Sequence, residues 1–114
     1  MKSDPLLVGM VALALAPQFS SAAGPLRAGA AQVVITPPPG APMAGYYHPR
    51  GSAGVLDDLH SKALVLDDGS TRIALVTLDL ISTTRALTEQ TRAEVTKLTG
   101  IPGTNVLLTA THAH

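Results

Sequence analysis

Residues Arg72 to Asp79 are apolar at odd and even positions alike, through Ile73, Ala74, Leu75, Val76 and Leu78. No other stretch constrains this chain as much. A strand turns alternate side chains to opposite faces, so a run without a polar face belongs at the centre of a sheet covered on both sides. The periodicity then changes. From Thr83 to Leu98 the spacing predicts a helix, with Leu87, Thr91, Val95 and Leu98 on one face and Glu89, Arg92 and Lys97 off it. Thr83 or Thr84 can cap its start, and Gly100 before Ile101-Pro102 closes it in a Schellman motif. Asn105 to Ala110 reads as another short buried strand. Residues 72–110 are therefore expected to form a strand–helix–strand unit with parallel, right-handedly connected strands.

Upstream, Ala28 to Thr36 ends in the β-branched series Val33-Val34-Ile35-Thr36 and reads as a strand. Pro37-Pro38-Pro39-Gly40 stops it, because proline offers no ladder donor. From Gly40 to Gly54 the chain is rich in Gly, Pro and Ala and fits no regular period. Its adjacent Tyr46 and Tyr47 point to an ordered, functional loop, since a solvated linker has little use for two aromatics. His60 to Leu66 and Arg72 to Asp79 flank Asp67-Asp68-Gly69-Ser70, a hairpin signal in which Gly69 supplies the positive φ. Parallel strands need cover on both faces, and this sequence offers one helix. The fold class expected is α/β: an incomplete N-terminal portion of a larger mixed-sheet domain, with a hairpin and a strand–helix–strand unit.

Composition removes several functions. In 114 residues, 8 Lys and Arg balance 8 Asp and Glu, so charge gives no reason to expect nucleic acid. Phe19, Tyr46 and Tyr47 are the only aromatics, too few for a base-stacking platform. There is no cysteine, which excludes disulfides, CxxC redox chemistry and thiolate-ligated zinc. Leu6 to Ala16 is an uninterrupted apolar run, preceded by Lys2 and followed by the small residues Ser20 to Gly24. That is the layout of a secretory signal peptide over residues 1–23, and the run is too short for a membrane span of ~20 residues. The protein is expected to be secreted or periplasmic, with residues 24–114 as its folded part.

In open α/β sheets, ligands bind beyond the carboxyl ends of the parallel strands. Asp79 closes the strand before the helix, and His112 and His114 follow the strand after it. If the backbone stays extended through Thr111, the i, i+2 spacing puts both imidazoles on one face, where they can converge on a divalent ion such as zinc. A frayed polar terminus has the same spacing. Asp79 is equally a site carboxylate or a strand-end residue capping the helix region. His48 and His60 have no partner at ligand spacing, and Asp57-Asp58 and Asp67-Asp68 read as solvated turn residues.

Taken in order, these segments resemble a known family. Arg27 to Ala31 leading to Ile35-Thr36-Pro37-Pro38, then Met43-Ala44-Gly45-Tyr46, is similar to the opening of neutral/alkaline non-lysosomal ceramidases. So are Gly54 to His60, Lys62 to Gly69, and Asn105 to His114, which looks like that family's strand into a T-H-T-H stretch with Ala113 in place of the second Thr. The resemblance implies a zinc amidase that hydrolyses the N-acyl bond of ceramide to sphingosine and a fatty acid. It implies His112 as a zinc ligand and His114 as a substrate-binding residue. The family's remaining ligands (a further His, a Glu and a Tyr) would lie outside these residues. Residues 24–114 alone are thus expected to need the remainder of the catalytic domain for activity. The partner implied is ceramide or a similar N-acyl lipid, met at a membrane surface. Two other functions fit the same residues: a non-enzymatic secreted binding module using the Gly40–Gly54 loop, and a hydrolase of another amide or ester.

Overall fold

The structure is a computed structural model that describes residues 24–114. The expected signal peptide, residues 1–23, lies outside the described residues. Four strands form one mixed sheet in the order of the chain: β1 (Arg27–Val34), β2 (His60–Asp67), β3 (Arg72–Leu78) and β4 (Val106–Ala110). β1 and β2 are antiparallel, β2 and β3 are antiparallel, and β3 and β4 are parallel. A single helix, α1 (Arg85–Thr99), and a short 3-10 turn at Gly103–Asn105 carry the crossover from β3 to β4. The α/β class, the hairpin and the parallel strand–helix–strand unit all match the pattern in the sequence.

Local chemistry accounts for the β2–β3 turn and for both ends of α1. Gly69, at φ +90°, makes the β2–β3 turn. Asp68 Oδ1 holds that turn by accepting from the backbone N–H of Ser70 and Thr71 and from the Ser70 hydroxyl. Asp67 accepts from Gly69 N–H and pairs with Arg27 across the sheet at 2.9 Å. Asp68 sits in the turn as expected, whereas Asp67 is the last, half-buried residue of β2; each has a defined hydrogen-bonding task. Thr84 caps α1 by accepting from Leu87 N–H at 3.2 Å. The far end differs from the Schellman expectation. Gly100, at φ +73°, donates to the Thr96 carbonyl in a simple left-handed cap, and Ile101 N–H is taken instead by Thr99 Oγ1.

The core is small. Ala74 of β3, Val106 of β4 and Ile101 of the crossover are nearly inaccessible, with Val65 and Val95 packed against them. Register explains the grouping: Val65 pairs with Ala74 and Ala74 with Val106, so the three share one sheet face, and α1 lies over it through Val95. Arg92 reinforces the seat by donating from Nε to the Val106 carbonyl at 3.0 Å. Asn105 does the same for the strand starts, donating to the Arg72 carbonyl.

β3 is central, as its sequence demands, and only one of its faces carries a helix among the described residues, as expected of a sequence that offers one helix to a sheet needing two layers. On the other face Ile73, Leu64 and Leu107 are 37%, 37% and 53% exposed. The face expected of α1 needs correction at two positions: Arg92, expected off the packing face, is half-buried and bonded to the Val106 carbonyl, and Leu98, expected on it, is 77% exposed. It lies in the last turn, where the described elements leave it uncovered.

Because the core rests on so few side chains, truncation at its centre has a large effect. Ile101→Ala is expected to destabilise by about 2–5 kcal/mol, the range for a buried aliphatic cut back to a methyl. Thr84→Ala should cost about 1 kcal/mol through the lost cap. Urea denaturation followed by circular dichroism measures both, and an Ile101→Ala loss no larger than that of Thr84→Ala would contradict this placement of the core.

Candidate functional site

The strand directions bring several distant segments to one end of the sheet. β1 finishes there, β2 starts there, and β3 and β4 both finish there. The segment between β1 and β2, the residues after β3 and the residues after β4 therefore emerge together. Ile35 N–H donates to the Leu59 carbonyl at 2.8 Å, and Thr36 Oγ1 accepts from Leu59 N–H while donating to Asp58. These bonds close the neck of the long loop. Beyond the neck, Gly40 N–H to Ser52 O, Ser52 N–H to Ala41 O and Met43 N–H to Arg50 O build a small antiparallel ladder. The Arg50 guanidinium stands over the Tyr46 ring at 4.9 Å, and Tyr47 at the tip is fully exposed. The loop thus has internal structure, as its tyrosines suggested.

Asp79 is the junction of three strands. Its Oδ2 accepts from His60 N–H at 2.9 Å, its Oδ1 accepts from the Thr111 hydroxyl at 3.1 Å, and its own N–H donates to the His60 carbonyl. The helix cap expected as one of its two roles belongs to Thr84, and Asp79 instead ties the strand ends together. The His60 N–H above all, and then the Thr111 hydroxyl, hold its carboxyl below the ordinary carboxylate range, against partial desolvation.

Past β4 the chain keeps pairing with the residues after β3. Thr111 N–H donates to the Leu78 carbonyl at 3.0 Å and Ala113 N–H to the Leu80 carbonyl at 3.1 Å. Between them His112 adopts φ +66°, a left-handed backbone unusual for a residue with a side chain. The extended backbone that would have aligned the histidines is therefore absent at His112. The rings meet all the same, edge to face, with centroids 5.0 Å apart and planes at 84°. The left-handed residue, and not the strand pleat, brings them together.

His112 Nδ1 lies 2.9 Å from the Ile81 carbonyl. A carbonyl only accepts, so Nδ1 carries the proton, and in the neutral ring Nε2 is left with its lone pair. Metal-ligating histidines commonly have such a carbonyl, which fixes the tautomer and orients the other ring nitrogen. His114 is placed against the loop: Gly45, at φ +87°, has no Cβ, and the His114 imidazole occupies the space one would fill. Both histidines are exposed. Among the described residues no group of three or more His, Asp or Glu side chains converges to hold an ion. The pair fits zinc by donor type and supplies at most two of the three protein ligands a catalytic zinc normally has.

His112, His114 and Asp79 are thus brought to one sheet end, whereas His48 is exposed in the loop and His60 takes part through its backbone. Reading the sequence alone missed Gly45, Ile81 and Thr111. Thr111 carried a signal, a hydroxyl two residues beyond Thr109 in a strand facing β3. Ile81 acts through its carbonyl, which leaves no mark in a sequence. Comparison with protein-family models and with curated proteins finds no match for this chain.

The Asp79 junction has a pH signature. Its folded-state pKa is lowered from the ordinary 3.8, so its contribution is complete above that value and is lost as pH falls through the folded value. Asp79→Asn is expected to lower stability at pH 7. Its deficit relative to the parent protein should shrink as pH drops below 3.8. Urea midpoints measured from pH 7 to 3 test this, and a pH-independent deficit would rule out the charged junction.

Proposed function

We propose that this chain is the N-terminal part of a secreted, zinc-dependent amidase similar to the neutral ceramidases, acting on the N-acyl bond of ceramide or a related N-acyl lipid. The observation that carries the reading is His112. Its Nδ1–H is held by the Ile81 carbonyl, which leaves the Nε2 lone pair available to a metal at the carboxyl end of a parallel strand pair. In this reading His112 is a zinc ligand and His114, edge-on beside it, faces the substrate.

Zinc bound with a further His, a Glu and a Tyr from the rest of the catalytic domain would polarise the scissile carbonyl and lower the pKa of water. The residues of this chain have simpler tasks. The Ile81 carbonyl keeps His112 in one tautomer, and the Asp79–Thr111 bond holds the strand from which both histidines project. The Gly40–Gly54 loop walls one side of His114, and its exposed Tyr47 offers an amphipathic contact for a lipid or a membrane surface. No nucleic acid is expected as a partner, since the chain carries no net charge.

The test uses the protein as its gene encodes it, expressed in full, beside His112→Ala. One zinc per chain is expected in the parent and none in the variant. Hydrolysis of an N-acyl-sphingosine should fall by more than ~100-fold in the variant, beyond the usual effect of losing an outer partner of a metal ligand. A metal-free, inactive parent protein would overturn the proposal and favour a binding module built around the loop. A zinc protein that cleaves other amides or esters but not N-acyl-sphingosine would keep the metal site and change the substrate.

A further inference from the structure

Gly40 and Gly45 belong to one loop and share one backbone conformation, φ +88° and +87°. They differ in their surroundings. A methyl built on Gly40 meets nothing within 4 Å. The same methyl on Gly45 falls on Nδ1 and Cε1 of the His114 imidazole and 3.2 Å from its Cγ. The Nδ1–Cε1 edge of the ring therefore sits where a side chain at position 45 would be.

An exposed histidine beyond the end of a strand ordinarily keeps its rotamer freedom, because nothing selects one staggered well. His114 has contacts on two sides. One is the backbone of Gly45, and the other is the His112 ring at 5.0 Å and 84°. His112 is in turn anchored to the Ile81 carbonyl. Loop, His114, His112 and the segment after β3 form a continuous line of contacts. Its one requirement on the loop is the absence of a Cβ.

We propose that Gly45 is a positioning residue for the histidine pair: the missing Cβ forms a seat that fixes the His114 ring beside His112. The loop joining the two antiparallel strands then determines the direction of a side chain projecting from the far strand. Whatever ligand the two imidazoles hold, its geometry depends on that loop staying closed on His114. The seat itself stands on the contact geometry; only its consequence for zinc rests on the amidase reading.

The experiment compares Gly45→Ala with Gly40→Ala in the full-length protein carrying 13C-labelled histidine. Both substitutions put a side chain on a left-handed residue, so the backbone effect is common to the two. Gly45→Ala is expected to shift the imidazole resonances of His112 and His114, the latter identified by its loss in His114→Ala; Gly40→Ala should leave both in place. Gly45→Ala should also lower Tm further than Gly40→Ala, and the excess should vanish when His114 is replaced by Ala, as for two groups in direct contact. Equal effects of the two glycine substitutions, or an excess that persists without His114, would overturn the seat. If Gly45→Ala fails to fold, recovery of folding in the Gly45→Ala, His114→Ala double variant supports the seat, and continued failure overturns it. Zinc affinity is then read separately, with a loss of about tenfold expected in Gly45→Ala. Shifted resonances in a protein that binds no zinc would keep the seat and remove the amidase reading alone.

Discussion

The end of the sheet where the histidines lie depends on one carboxylate. Asp79 follows β3 and takes a backbone N–H from the start of β2 and a hydroxyl from the residue after β4. Without it, the His60 N–H and the Thr111 hydroxyl would lose the acceptor they share. With it, the antiparallel and parallel halves of the sheet are joined at the point where the loop and the chain beyond β4 emerge. A charge at this position suits the task, because hydrogen bonds to an ionised acceptor are about twice as strong as neutral ones. The lowered pKa of Asp79 records that preference.

From this junction the geometry of the histidines follows in steps. Thr111 is held on one side by Asp79 and on the other by the Leu78 carbonyl, so the chain enters His112 from a defined direction. Ala113 is caught by the Leu80 carbonyl. A residue bracketed by two fixed neighbours can be held in a left-handed backbone that it would otherwise avoid. That conformation, and the Ile81 carbonyl bonded to its ring, define the orientation of His112. His114 completes the set by resting against Gly45.

Away from the histidines, packing and two side-chain bonds to backbone carbonyls organise the molecule. The Ala74, Ile101 and Val106 cluster secures α1 through Val95, and the Arg92 bond to the Val106 carbonyl anchors the helix to the sheet. The exposed apolar face of Ile73, Leu64 and Leu107 agrees with the expectation that a sheet of this composition needs a second layer. Core and site thus sit at different places in the fold, linked by β3 and β4. Substitutions at Ile101 and at Gly45 report on separate parts of it.

Most of the elements were legible in the sequence because they depend on local chemistry. Gly69 at the turn, Thr84 at the cap, Gly100 at the helix end and the two-faced apolar run of β3 act within a few residues of themselves. The strand–helix–strand pattern was equally readable, since it follows from periodicity and length. Leu98 shows where that reasoning stops: helical spacing predicts a face but not how far the neighbouring element extends. The site was half legible. Sequence position marked Asp79, His112 and His114 as lying at strand ends, and hence at one end of a parallel pair. The left-handed His112, its bond to a backbone carbonyl and the seat at Gly45 were decided by tertiary structure alone. The last two are contacts between segments distant in the chain that use a backbone atom or an absent side chain, which residue type does not encode, and the first is a backbone conformation held by hydrogen bonds to the segment after β3.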